Sequence, residues 1–94
     1  MDLSLTMQVS VPKNVLVRTF ENESLLLNLD TESYYGLDEI GMRIWQALTQ
    51  TENIQAAYES LLAEYDVDPI TLQRDLEAFI ESLVQRGLVE LQNS

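Results

Sequence analysis

The chain has 94 residues, 46% of them apolar, which suits one small domain with a modest core. It contains neither Cys nor His, so disulfides, thiolate nucleophiles, the usual general base and the commonest transition-metal ligands are missing, and neither catalysis nor a metal or other cofactor is expected. Five basic side chains against 16 acidic ones give a formal charge of −11, which repels phosphate backbones, favours a basic or neutral partner and helps keep a small protein soluble.

No apolar run approaches the length needed to span a membrane. Residues 1–7 lack the basic region and continuous apolar core of an export signal, so a cytoplasmic location is expected. Leu3, Leu5, Met7, Val9 and Val11 alternate with polar residues up to Pro12, which is strand periodicity. Residues 1–12 therefore form an extra edge strand or an arm that finds order against another chain. The arm leaves two states open, a monomer or a dimer built by exchanging an edge strand. Residues 13–91 form a single domain without repeats or low-complexity segments, and 92–94 a tail.

Residues 14–20 are rich in β-branched and aromatic side chains and predict a strand. Glu21 and Asn22 form a tight turn, Asn tolerating a left-handed conformation. Residues 23–30 predict the next strand, with Leu25, Leu27 and Leu29 on the buried face and Ser24, Leu26 and Asn28 on the other. Thr31 and Glu32 turn the chain again, and residues 33–37 form a short edge strand in which one of Tyr34 and Tyr35 faces the helices and the other faces outward.

Asp38 caps a helix that places Ile40, Ile44, Trp45 and Leu48 on one face, with Gly41 permitting a close contact. Residues 51–53 open a second helix whose apolar stripe is Ile54, Ala57, Tyr58, Leu61, Leu62 and Tyr65. Asp68 followed by Pro69 starts a third, with Leu72, Leu76, Phe79, Ile80 and Leu83 inward, and Gly87 ends it. Residues 88–91 then lie back on the core. The fold class is α+β: a three-stranded antiparallel meander followed by three helices, in a winged helix-turn-helix-like arrangement.

Constellations with a chemistry are few. Asp66 and Asp68 are followed by Pro69 and Ile70 where a calcium loop needs further oxygen ligands and a glycine, so a helix cap explains Asp68. The third helix sets Arg74 and Arg86 against Asp75, Glu77 and Glu81; its net negative charge argues against the DNA-binding role its position suggests. The Ser60–Leu61 and Ser82–Leu83 pairs lie within helices and follow Glu, unlike the Asp-Ser-Leu site of carrier proteins.

The strands up to Leu29, the run Tyr34-Tyr-Gly-Leu-Asp-Glu-Ile-Gly41, Ile44-Trp45 and Leu48 together resemble stand-alone PqqD-like domains. Val11-Pro12, Leu62, Tyr65, Asp66-Val67, Asp75, Leu76, Leu83 and Arg86-Gly-Leu88 continue the pattern, and Asp38 stands where such proteins often carry Asn. The resemblance implies a RiPP recognition element, a non-catalytic chaperone that binds the leader segment of a ribosomally made precursor peptide. It further implies presentation of that peptide to a modifying enzyme, commonly a radical S-adenosylmethionine enzyme, in pyrroloquinoline quinone, lasso-peptide or related biosynthesis. In that family the leader adds as an antiparallel strand beside the third helix. Carried onto this chain, the acceptor edge is Ser33, Tyr34, Tyr35, Gly36 and Leu37, and the helix wall is Leu72, Asp75, Leu76 and Phe79. Acidic residues flanking the edge, Glu32, Asp38 and Glu39, would select a leader carrying Lys or Arg. The alternatives are a winged-helix protein–protein adaptor and a DNA-binding regulator.

Overall fold

In the computed structural model, which describes residues 4–93, strand β1 (Met7–Ser10) precedes β2 (Val15–Phe20), β3 (Glu23–Asn28) and β4 (Tyr34–Leu37). Helices α1 (Glu39–Gln50), α2 (Ile54–Glu64) and α3 (Pro69–Gln85) follow, and a last strand β5 (Glu90–Asn93) closes the chain. The sheet β2-β3-β4 is an antiparallel meander followed by the three helices, the α+β architecture expected from periodicity. The alternating arm finds its partner within the chain: β1 pairs antiparallel with β5, Val9 opposite Leu91. Leu88 and Val89 are buried just before that pairing, so the segment after α3 does return to the core. Gln92 and Asn93, assigned from sequence to a tail, belong to β5. Leu3 of the alternating arm and Ser94 lie outside the described residues.

Short-range chemistry sets the helix starts. The Asp38 carboxylate accepts from the Gly41 N–H at 2.7 Å, Asn53 Oδ1 from the Ala56 N–H at 2.8 Å, and Asp68 Oδ2 from the Thr71 N–H at 3.0 Å. Each such cap contributes about 1 kcal/mol by satisfying a donor that the first turn leaves without a partner. Pro69 occupies the first turn of α3, where no N–H is needed. A Cβ on Gly41 would sit 3.3 Å from Asp38 Oδ1 and 3.4 Å from the Leu37 side chain, so this glycine lets α1 start tight against the end of β4. Left-handed backbone occurs at Glu32 (φ 60°), not at Asn22, and at Gly87 (φ 68°), which ends α3.

The buried face of β3 is the reverse of the one predicted. Leu26 is fully buried with Ser24 and Asn28, whereas Leu25 and Leu27 are half-buried and Leu29 is 51% exposed. Three consecutive leucines satisfy either phase of a two-residue period, and a one-residue slip exchanges the faces. The inward phase holds because Asn28 is satisfied there. Its Oδ1 accepts from the Asp30 N–H (2.9 Å), the Thr31 N–H (3.2 Å) and Asn14 Nδ2 (3.2 Å), while its Nδ2 donates to the Gly87 carbonyl at 3.0 Å. A buried amide with this many partners does not carry the penalty of an unpaired polar group.

The core joins Leu26 and Leu37 of the sheet to Trp45 and Leu48 of α1, Ile54 and Leu61 of α2, and Leu76, Ile80 and Leu83 of α3. Ile40, expected inward on α1, is 61% exposed, and the buried face of that helix is Trp45, Ala47 and Leu48. On α2 the buried residues are Ile54, Ala57 and Leu61, with Tyr58, Leu62 and Tyr65 only half-buried. A 2.6 Å ion pair, Arg43 Nε to Glu64, ties α1 to α2 at the surface.

Candidate peptide-binding site

The sheet ends at β4, which pairs on one side with β3 and carries no strand on the other among the described residues. The Asn28 N–H bonds the Ser33 carbonyl at 2.8 Å, in register with the pairs Leu26–Tyr35 and Ser24–Leu37. In an antiparallel ladder alternate residues bond the same neighbour. Residues 33, 35 and 37 therefore address β3, and the N–H and C=O groups of Tyr34 and Gly36 face the open edge. Those are the groups an added strand would use.

That edge borders an open cleft of about 400 Å³ lined by Tyr35, Gly36, Leu37, Asp38, Ile40, Gly41, Ile44 and Phe79. Tyr35 turns toward the helices and meets Phe79 edge to face, with ring centroids 6.3 Å apart and planes at 79°. The Arg86 guanidinium lies 5.1 Å from the centroid of the Tyr35 ring, a cation–π contact at the far end of α3. Tyr34 takes the other face and is 66% exposed, so the tyrosine pair divides inward and outward as alternation requires. A Cβ on Gly36 would meet nothing within 4 Å, and its φ is not in the left-handed region, so the fold itself does not demand glycine there.

The nine residues singled out from sequence do not all lie at this edge. Tyr35 and Phe79 line the cleft, Tyr34 and Gly36 present backbone to it, and Ser33 is half-buried just before β4. Leu72 is half-buried and Asp75 exposed, on the same stripe of α3 as Phe79. Leu37 and Leu76, at 3% and 2% exposure, direct their side chains into the core, and the Leu37 backbone addresses β3. Sequence reasoning missed Ile40, Ile44 and Arg86. Ile40 and Ile44 share a helical stripe with Trp45 and Leu48 and so read as core, and Arg86 enters only the helix charge balance and the family pattern. The three-and-four spacing of Leu72, Asp75, Phe79, Ser82 and Arg86 would have found the last. Asp66 and Asp68 gather no further ligand: among the described residues, no group of three His, Cys, Asp or Glu side chains could hold a metal ion.

Fold and site together define a small winged-helix-like domain with an open sheet edge beside an aromatic helix wall. The chain belongs to the PqqD family: the model of coenzyme PQQ synthesis protein D matches residues 23–89, which spans β3 through the return to the core. Among solved structures it is similar to TbiB1, determined in complex with the TbiA(beta) leader peptide. The two are 34% identical, with 86% of this chain and 94% of that one covered at a TM-score of 0.79. The fold is shared as well with a lasso peptide synthetase B1 complexed with the leader peptide, at 22% identity, 88% and 98% coverage and a TM-score of 0.78. A comparison with curated protein sequences gives no match. The family read from the sequence is thus borne out, and so is the fold. Among the described residues no helix is long and apolar enough to cross a membrane.

Proposed function

We propose that this protein is a non-catalytic partner in peptide modification. It binds the leader segment of a ribosomally made precursor as a strand added to β4 and presents the rest of that peptide to a modifying enzyme. The observation that carries this reading is the pair of edge-facing residues, Tyr34 and Gly36, set beside the Tyr35–Phe79 cleft. Membership of the PqqD family supports it, as does likeness to a protein that was itself solved with a leader peptide. Main-chain bonds to the edge supply affinity without regard to sequence, and alternate side chains entering the cleft supply selectivity.

The other edge of the sheet sharpens the choice. Leu29 N–H bonds the Asn14 carbonyl at 2.8 Å, which by the same alternation leaves Val15, Val17 and Thr19 facing outward from β2. Residues 16–20 of that strand are all exposed, and among the described residues no helix packs extensively against β2 to hold side chains of an added segment. An edge with backbone groups alone offers weak and unselective pairing. The β4 edge offers both backbone and wall.

The test is a nitrogen-15 correlation spectrum of the labelled protein, titrated with the TbiA(beta) leader and with the leader of any short peptide encoded beside the gene. Shifts concentrated at residues 33–37 and along 72–79 are the expected result. Saturable shifts confined to the β2 edge, or no shifts from any leader even with the modifying enzyme added, would overturn the reading.

A further inference from the structure

The cleft is polarised in charge along its length. Leu72, Asp75, Phe79, Ser82 and Arg86 recur at helical spacing and form one stripe of α3. The end of that stripe lies at the start of β4: Arg86 stacks over Tyr35, and the Gly87 carbonyl is held by Asn28, whose own N–H bonds Ser33. Phe79, two turns earlier, lines the cleft with Leu37, Asp38 and Ile44 at the end of the strand. The helix therefore runs antiparallel to β4, and Asp75 lies one turn further toward the Asp38 end. One end of the cleft holds the Asp38 carboxylate, with Asp75 one turn of α3 beyond Phe79; Glu39 lies on another face of α1, with Met42, Arg43 and Gln46. The other end holds the Arg86 guanidinium with Glu32 near the start of the strand. Glu77 and Glu81 lie off the stripe. Arg86 is exposed and stacks on the Tyr35 ring, which leaves its donors available to an incoming carboxylate.

We propose that the cleft selects its peptide by the order of charges: basic at the N-terminal end, apolar in the middle, acidic at the C-terminal end, laid antiparallel to β4. Antiparallel addition sets the peptide's N-terminus beside Asp38 and Asp75 and its C-terminal residues beside Arg86. Parallel addition would require the opposite order. Tyr35, Phe79, Ile40 and Ile44 take the apolar residues between. This inference rests on antiparallel strand addition at β4 and adds to it a class of sequence.

A randomised library of twelve-residue displayed peptides, panned at low salt on the full immobilised chain, tests it. Selected peptides are then synthesised and mapped by the perturbed amide signals. Expected are binders that perturb residues 33–37 and carry Lys or Arg before, and Asp or Glu after, an apolar stretch. Arg86→Glu should weaken them about tenfold and favour peptides with a basic C-terminal end, the scale of a few exposed charge pairs acting together. Arg86→Gln should give an intermediate loss. Arg74→Glu makes the same change in net charge from a position off the stripe and should leave binding unchanged. Binders at residues 33–37 with no charge order, with the reverse order, or with equal sensitivity to both charge reversals would overturn the charge-order proposal while leaving strand addition intact. A library that yields no binder at residues 33–37 would overturn strand addition itself.

Discussion

Position 28 shows how one polar residue can decide which way a strand faces. Asn28 sits in a strand of leucines, yet its amide joins three segments: Asn14 before β2, the turn at Asp30 and Thr31, and Gly87 after α3. The Gly87 end is equally constrained, because a Cβ there would come within 2.8 Å of Asn28 Nδ2 and the backbone is left-handed. Fixing Asn28 inward places Leu26 inward with it. Leu26→Ala should therefore destabilise the protein by about 2–5 kcal/mol, through lost burial and the cavity left behind. Leu29→Ala should change stability by no more than about 0.5 kcal/mol, since that side chain is already half in water. Urea unfolding of the two variants measures both, and equal losses would return the core to the Leu25, Leu27 and Leu29 face.

At the scale of elements, the two sheet edges form a matched pair for mutagenesis. Gly36→Pro deletes an N–H that faces the open side of β4, not one that holds β3, and a Cβ at this position meets nothing within 4 Å. Tyr35, preceding it, is already extended, as a residue before proline prefers. Val17→Pro deletes an edge-facing N–H from β2 in the same way. Both variants should keep the far-ultraviolet dichroism of the parent. Leader affinity, read by fluorescence anisotropy, should fall about tenfold or more for Gly36→Pro, from a lost main-chain bond and a ring in the path of the incoming strand, and stay unchanged for Val17→Pro. Equal losses, or a loss at Val17 alone, would move the acceptor edge elsewhere.

Across the whole molecule, what the sequence made legible is what short-range chemistry determines. The caps Asp38 and Asp68, the proline at the start of α3 and the glycine at its end each act within a few residues, and α1 and α3 start where they predict, while α2 starts at Ile54, just after the 51–53 opening. What stayed hidden depends on distant partners: the phase of β3 rests on a bond spanning 59 residues, and the cleft position of Ile40 and Ile44 on where α3 crosses them. Charge was legible in amount but not in arrangement. A formal charge of −11 acts on any approaching peptide through a field that extends about 30 Å at 0.01 M salt and about 3 Å at 1 M. A leader carrying Lys or Arg should thus bind more weakly as salt rises between those limits, mainly through slower association, because long-range attraction steers the encounter while the backbone bonds at β4 hold the complex. Duplex DNA should show no binding even at the low end, where release of counterions would favour it most. A leader affinity that does not change with salt would mean that the carboxylates around the edge keep the protein soluble and take no part in recognition.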